Sequence, residues 1–589
     1  MRLLLFSCLF LVSIAIGETL ISLQKEAVAE SEPITYPKNY FRSPLNIPLT
    51  LAGNFGEIRN NHFHSGLDFK TENREGLPIF APADGYVSRI KVQAAGYGNA
   101  LYITHPNGYV TVYGHLSAYN ATISAFLKKE QYKLESFEVD VKLSPNDIPV
   151  KQSDLVALSG NTGGSRGPHL HFEVRDELTE YAINPLLFGF DVKDSVKPMI
   201  HKIGIYPMNE ISFVNDKNSE SYFSILPRKG QDATLLYPAN DTLKVHGFVG
   251  FGLSTTDTED ARTNVNGTYS VELKVDGEII YHHKINTFSF DQWRYVNAHI
   301  DYPEKKKKGT IVQRCYLLPN NKLPIYEVKK NRGYFLFTDK KTHLVQLTAS
   351  DIFGNKRAVS FYVKSSPLAT VKQSAPKSKN VVQKFIYNRE NSFATSSFQI
   401  NLPKDAIYND IDFEFFVSDT AKGWAPTYHV HKDIEPVQSL YELGIKPRKM
   451  KDKLKDKAVI VNTSGGMRVS EGGSWDSAFG GVKTQTKTFG AFTIAVDTIP
   501  PVLSPINAFA NKNIKSVKWL RFRMYDSLSG IKSYRGTIDG KWILMQCDAK
   551  SNLLYYIFDE QIGAGKHELK VLIEDKKGNS KTYAYNFSR

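Results

Sequence analysis

Gly160-Asn-Thr-Gly-Gly-Ser-Arg-Gly-Pro-His-Leu-His-Phe-Glu-Val174 runs from a glycine-rich loop into β-type sequence. With the two-residue period of a strand, His169 and His171 point to one face and Leu170 points into the core. Working outward, Val112-Tyr-Gly-His-Leu116 carries His115 to the same face if it forms a neighbouring strand. Further upstream, Asn61-His-Phe-His-Ser-Gly-Leu-Asp68 separates His64 from Asp68 by three residues. A helix would align that pair too, but Ser65-Gly66 and the flanking strand character argue for a loop or strand.

Catalytic zinc uses about three N/O protein ligands and keeps a fourth position for water. Two histidines and one carboxylate satisfy this. Two more histidines can then serve as base and as stabiliser of an oxyanion. His-x-His alone is weak evidence, and the chain contains its own control. Tyr428-His-Val-His-Lys432 has the same spacing without a His-x-x-x-Asp partner, so it reads as a half-exposed strand face. His62 reads as structural or supporting, His105 as part of a turn, and the adjacent His282 and His283 as pointing to opposite faces. The glycines of 160–167 lack the Gly-Lys-Ser/Thr ending of a phosphate loop and lead into a strand. They are expected to let the backbone approach a substrate beside the metal.

The chain has 589 residues, enough for about three to five domains. Hydrophobic content of 41% and aromatic content of 12% exclude a disordered chain. The net charge of +14 favours anionic surroundings such as wall polymer, nucleic acid or headgroups. Three cysteines exclude a disulfide scaffold and a multi-cysteine zinc domain. Cys315 and Cys547 are expected to be separate buried thiols. Residues 1–17 read as a signal peptide, with Cys8 too early for a lipidation site. No later segment reads as a transmembrane span, so none is expected in the mature chain.

Residues 18–39 form a polar lead-in. Residues 40–192 form the histidine-rich domain, with a hairpin turning at His105-Pro-Asn-Gly108 and an insertion at about 119–147 that holds a helical turn or two. Beyond it the texture is strands and turns. Asp194-Ser-Val-Lys-Pro198 resembles Asp497-Thr-Ile-Pro-Pro501, and Asp351-Ile-Phe-Gly-Asn355 resembles Asp575-Lys-Lys-Gly-Asn579. This weak repeat suggests a β-sandwich at 193–366 and an Ig-like sandwich at 497–589, with a further β domain at 367–496. The basic runs 305–308 and 446–457 lack interleaved aromatics and read as solvated loops, so no nucleic-acid partner is expected.

The order His64-x-x-x-Asp68, Tyr113-Gly-His-Leu116, then 160–173 resembles the lysostaphin-type zinc metalloendopeptidases of bacterial cell walls. The resemblance spans roughly residues 45–190, and Asn184-Pro-Leu-Leu187 resembles that family's domain end. It implies an antiparallel β-sheet domain with an open groove, in a chain that is mainly β. It implies one Zn²⁺ per chain held by His64, Asp68 and His171, with His115 and His169 flanking the reacting water. Glu173 shares the strand parity of these residues, as an orienter of imidazole or as a solvated charge. The expected function is hydrolysis of peptide bonds in peptidoglycan, in cross-links or stem peptides, by an exported enzyme of the periplasm or cell envelope, or outside the cell. The alternatives are a zinc protease of glycine-rich proteins and a non-catalytic envelope scaffold or activator. Besides the peptidoglycan peptide, cell-envelope proteins are expected partners of the C-terminal β domains.

Overall fold

The structure is a computed structural model that describes residues 35–226, 234–235, 242–261, 264–367, 378–419, 423–508 and 512–589. The signal-peptide reading of 1–17 and most of the lead-in lie outside the described residues. The chain is mostly β, built from antiparallel sheets.

The histidine-bearing sheet uses β1 (Leu51–Gly53), β2 (Leu67–Lys70), β3 (Gly85–Val92), β4 (Asn99–Thr104), β5 (Tyr109–Gly114), β6 (Val139–Lys142) and β7 (His169–Asp176). Their spatial order is β1-β2-β7-β5-β4-β3-β6. Alternation decides which way each strand faces. Leu170, Phe172 and Val174 of β7 are fully buried in the main core with Leu101, Ile103 and Tyr113. Burial of each such side chain favours this orientation by about 1.5–3 kcal/mol. The pleat then delivers His169, His171, Glu173 and Arg175 to the opposite face. The turn at residues 105–108 joins β4 to β5, with Leu101 opposite Tyr113 and Thr104 opposite Val110.

Within the insertion lies helix α1 (Ala121–Leu134), longer than the turn or two expected. Asn120 caps it, accepting a hydrogen bond from Ile123 N at 2.9 Å. Its buried stripe is Ile123, Leu127 and Gln131, each one turn apart. Glu135 ends it in the left-handed region at φ 45°.

The core does not stop at the edge of this sheet. One continuous cluster runs from Phe41 through Phe172 and Phe361 to Tyr408. Strand Ala182–Ile183 pairs with Thr287–Phe288, and Phe288 stacks on Phe55 with ring centroids 4.9 Å apart. The second sheet is organised by the long strand Leu243–Thr256, which pairs with Met199–Pro207 on one side. Its closing strand Lys356–Ser365 alternates buried and exposed residues along its second half. Two further units follow, each a pair of sheets with its own core. One contains Phe398–Leu402, Ile411–Ser418 and Gly490–Val496. The other contains Trp519–Tyr525, Ile531–Ile538, Lys566–Asp575 and Ser580–Ser588.

The last unit folds back onto the first. Tyr132 of α1 donates to Asp559 Oδ2 at 2.6 Å, and its ring meets Trp542 edge-on at 5.1 Å. Lys128 pairs with Glu560 at 2.7 Å and Arg535 with Glu135 at 2.6 Å. Lys550 Nζ donates to the backbone carbonyls of Asn161 and Ser165 in the glycine-rich loop.

Two local expectations are corrected. Neither basic run is all loop: 446–457 contains the short helix Asp452–Lys455, and 305–308 end the helix Tyr302–Lys308, which Asp301 caps and Gly309 terminates. The lysines therefore sit at the end of the helix that favours cations. Of the two thiols, Cys315 is buried but Cys547 is only half-buried.

Candidate metal centre

β2 and β7 pair so that His171 lies directly opposite Asp68, and His169 opposite Lys70. His64 precedes β2 in the loop after the two-residue strand His62–Phe63. Three side-chain atoms converge. His64 Nε2 and His171 Nδ1 lie 3.0 and 2.9 Å from Asp68 Oδ1, and 3.0 Å from each other. All three residues are buried. A tetrahedral zinc with bonds of about 2.0–2.1 Å has ligand atoms roughly 3.3 Å apart. Two imidazole nitrogens and one carboxylate oxygen, already this close, form a donor set that suits zinc.

The outer ring nitrogens set the tautomers. His64 Nδ1 lies 2.8 Å from the Asn54 carbonyl, so it donates there and leaves Nε2 as the inward acceptor. His171 is reversed. Its Nε2 donates to Glu173 Oε1 at 2.8 Å and its Nδ1 faces inward. Glu173 is 0% exposed. It also accepts from Tyr97 Oη at 2.6 Å, Ser65 Oγ at 2.5 Å and Arg175 Nε at 2.6 Å. Of its two expected roles, the structure therefore selects the orienter of an imidazole.

His115 reaches the cluster by a different route from the one expected. Strand β5 ends at Gly114, and His115 lies just beyond it at φ 61°. Its backbone N–H donates to Tyr97 O at 2.8 Å. Its Nδ1 lies 2.8 Å from Thr162 O, and its ring is 4.7 Å from that of His169. A left-handed turn, not strand parity, aims the ring. Gly114, which faces His171, leaves room for it: an added Cβ would lie 3.2 Å from His171 Cβ. His169 Nδ1 is 2.9 Å from Gly167 O, and its Nε2 is 3.4 Å from Asp68 Oδ1.

Protonation follows from burial and neighbours. Burial pushes His64 down to about 4 against the pull of Asp68. Burial, then the charges of His171 and His169, push His115 down to about 3. Both rings are neutral at pH 7 and present lone pairs. For His171, burial opposes the charge, but hydrogen bonds to Asp68 and Glu173 outweigh it and hold the ring up at about 9. A cation bound at Nδ1 takes the proton's place. Asp68 stays ionised: burial opposes this, but His64 and the hydrogen-bonding imidazoles hold it well below the usual carboxylate range.

All five sequence candidates come together here. Sequence reasoning missed Tyr97, which stacks on His171 at 5.1 Å, and Arg175, which pairs with Glu173. It also missed Arg59, whose guanidinium lies 2.7 Å from Asp68 Oδ2. Arg175 shares the parity of His169, His171 and Glu173 and was the readable signal; Tyr97 and Arg59 come from loops and hairpins with no pattern.

The remaining histidines stay apart. His62 bonds to Asn60 O and packs on Trp293. His105 bridges Asp84 O and Thr111 Oγ1. His429 stacks on Phe416 at 4.0 Å. At Gly163 a Cβ would lie 2.3 Å from Gly98 N, so this glycine serves backbone-to-backbone packing.

Residues 62–132 match Peptidase family M23, and residues 382–497 match the Zu5-like domain. A Haemophilus influenzae protein named an uncharacterized metalloprotease is 34% identical over 26% of this chain and 28% of its own. A Neisseria meningitidis protein named DD-carboxypeptidase/endopeptidase Mpg is 32% identical over 21% of this chain and 22% of its own. The chain thus spans only a minor part of the length of either relative. Among solved structures, the catalytic domain of lysostaphin from Staphylococcus simulans is 25% identical, over 23% of this chain and 87% of its own, with a TM-score of 0.17.

Proposed function

Since this chain carries a domain of peptidase family M23, we propose that it is an exported zinc-dependent endopeptidase that hydrolyses peptide bonds in peptidoglycan. The observation that carries this is the convergence of His64 Nε2, Asp68 Oδ1 and His171 Nδ1 beside two further histidines. Support for the substrate comes from relatives named peptidoglycan DD-endopeptidase, among them ShyC and ShyB of Vibrio cholerae. Support for export to the periplasm or cell envelope is the apolar run at 1–17. Other envelope proteins are proposed partners of the β units beyond residue 193.

In this proposal His64, Asp68 and His171 hold one zinc. When bound, zinc supplies a Lewis acid that polarises a carbonyl and makes water nucleophilic near neutral pH. The protein's own groups do the rest. Glu173 fixes the ring of His171 and compensates the charge of Arg175. The Thr162 carbonyl commits Nδ1–H of His115, leaving Nε2 to accept a proton. The Gly167 carbonyl does the same for His169. One of the two takes the proton of the attacking water at Nε2, and the imidazolium so formed hands that proton to the leaving amine; the other donates to the oxyanion only when it too is protonated.

The test is incubation of the purified full chain with muropeptides and with casein, each with and without a chelator. Chelator-sensitive cleavage of muropeptides alone is expected. Cleavage of casein alone, or none of either by zinc-replete protein, overturns the reading.

A further inference from the structure

The sequence repeat that opens with Asp194 and closes with Asp351-Ile-Phe-Gly-Asn355 has a second consequence in three dimensions. Carboxylate oxygens of Asp194, Asp257 and Asp351 lie within 4.8 Å of one another. Asp351 sits in a tight turn, accepting from Asn355 N at 2.9 Å and Asn355 Nδ2 at 2.7 Å. The same Asn355 amide ties back to Asp194 O at 3.2 Å. Asp257 arrives from the end of the long strand and forms a two-bond backbone bridge with Asn266, at 2.9 and 2.8 Å.

An independent observation points to a ligand. Asn266 is 6% exposed, and its carbonyl oxygen Oδ1 has no hydrogen-bond partner. Asp257, 5% exposed, likewise has an unpartnered Oδ1. Both residues line one cavity with Asp194 and Asp351. Its volume is ≈ 20 Å³, room for one water-sized body. Buried acceptors without donors are costly, and buried like charges more so. Burial and mutual repulsion push Asp257 up to about 8 and Asp194 to about 6.

The C-terminal unit supplies the contrast. Asp497, Asp526 and Asp575 form the equivalent cluster. Asp575 makes the same turn with Asn579, at 2.9 and 2.7 Å, and Asn579 ties back to Asp497 O at 3.0 Å. There, Lys577 carries a positive charge that interacts with both Asp497 and Asp575. In the first loop the corresponding position is Phe353, which is 44% exposed. The Lys577 ammonium donates to Gly473 O at 2.7 Å, so it lends the second copy a nearby positive charge without ligating its carboxylates.

We propose that Asp194, Asp257, Asp351 and Asn266 bind one hard divalent cation, Ca²⁺, at the seam between the histidine-bearing sheet and the second sheet. An all-oxygen set of carboxylates and an amide carbonyl is the chemistry of calcium, not of the nitrogen-rich zinc centre. Asp194 lies on the segment leaving the first sheet. Beside it, Glu259 accepts from Leu51 N of β1 at 2.7 Å, and β1 pairs with the strand that carries Asp68. The ion therefore fastens the second sheet to the edge of the first.

The experiment is equilibrium dialysis of radioactive Ca²⁺ into the zinc-loaded full chain, with thermal unfolding in parallel. One Ca²⁺ per chain is expected, in the ~10⁻⁴–10⁻³ M range of weak calcium modules. At 10 mM Ca²⁺ this raises the apparent folding constant about tenfold or more. Asp257→Asn should lose the bound Ca²⁺ and the calcium-dependent rise in unfolding temperature, without lowering stability in chelator. Phe353→Lys, at an exposed position, should replace the ion: no Ca²⁺ bound, and higher stability in chelator than the wild type. Asp526→Asn should leave the stoichiometry unchanged. Absence of Ca²⁺ binding by the wild type at 10 mM, or undiminished binding by Asp257→Asn, overturns the proposal. Neither outcome touches the zinc content or peptidase rate on which the proposed function stands.

Discussion

Glu173→Gln separates two jobs that one carboxylate performs. The substitution keeps the shape but removes the charge beside Arg175, a buried partner. Removing one member of a buried ion pair costs about 3–5 kcal/mol, because the other charge is left uncompensated. The amide nitrogen also cannot accept from Arg175 Nε, Tyr97 Oη or Ser65 Oγ, so the four contacts of Glu173 cannot all be remade. Separately, His171 loses a charged acceptor at Nε2, which lowers metal affinity by about 10–100-fold. The two losses are told apart by adding Arg175→Met. Arg175 packs 4.3 Å over the Phe290 ring, a contact that a methionine stem largely retains. With both charges gone, the stability of the zinc-free chain should return to within about 2 kcal/mol of the wild type. Zinc affinity should stay low. Denaturant unfolding of chelated protein gives the first quantity and a chelator competition gives the second. Wild-type zinc affinity in Glu173→Gln, or recovery of affinity together with stability in the double variant, refutes the assignment of Glu173 as the orienter of His171.

His171→Ala should lose most of the zinc measured by elemental analysis, while His429→Ala, on the strand with the same His-x-His spacing, should leave zinc and peptidase rate unchanged. His115→Ala and His169→Ala should retain zinc and lose turnover by ~10²–10⁴-fold; loss of zinc would make them ligands, and undiminished turnover would remove them from the mechanism. His105, away from the metal centre, is pushed down to about 4 by burial. The unfolded chain takes up its proton below about pH 6.5 and the fold does not, so stability is full above that pH and declines as pH falls towards 4, by up to about 3 kcal/mol. Denaturant unfolding between pH 7 and 4 should show a shallower decline for His105→Asn, and an identical decline would show that this ring does not contribute.

How far the sequence carried the reading depends on the residue. Strand parity placed His169, His171 and Glu173 on one face, because burial of Leu170 and Phe172 leaves a pleated chain no other choice. Parity could not say whether that face met water or protein, so Glu173 stayed undecided until its partners Arg175, Tyr97 and Ser65 were in view. The register that sets His171 opposite Asp68 depends on how two distant strands slide together, which no local pattern encodes. His115 was found for the wrong reason, since nothing in Tyr-Gly-His-Leu announces a left-handed histidine. Helix α1 was underestimated because its third buried position is Gln131, a polar residue that interrupts the apolar stripe. The lysine run at 305–308 hid a helix whose cap Asp301 and stop Gly309 were both readable. The paired Asp-x-x-Gly-Asn turns were visible as a repeat, yet their third carboxylates, Asp257 and Asp526, lie outside the repeated words.

The contact between Lys550 and the glycine-rich loop joins groups 385 positions apart. A ribosome adds roughly 5–20 residues per second, so about 20–80 s separates the synthesis of Ser165 from that of its clasp. In that interval the glycine-rich loop beside His169 exists without the lysine that braces two of its carbonyls, and α1 presents Tyr132 to solvent. The polar contacts that hold α1 and this loop against the C-terminal sandwich thus arrive late: a chain interrupted anywhere between residues 176 and 535 carries all five histidine-cluster residues but none of those contacts.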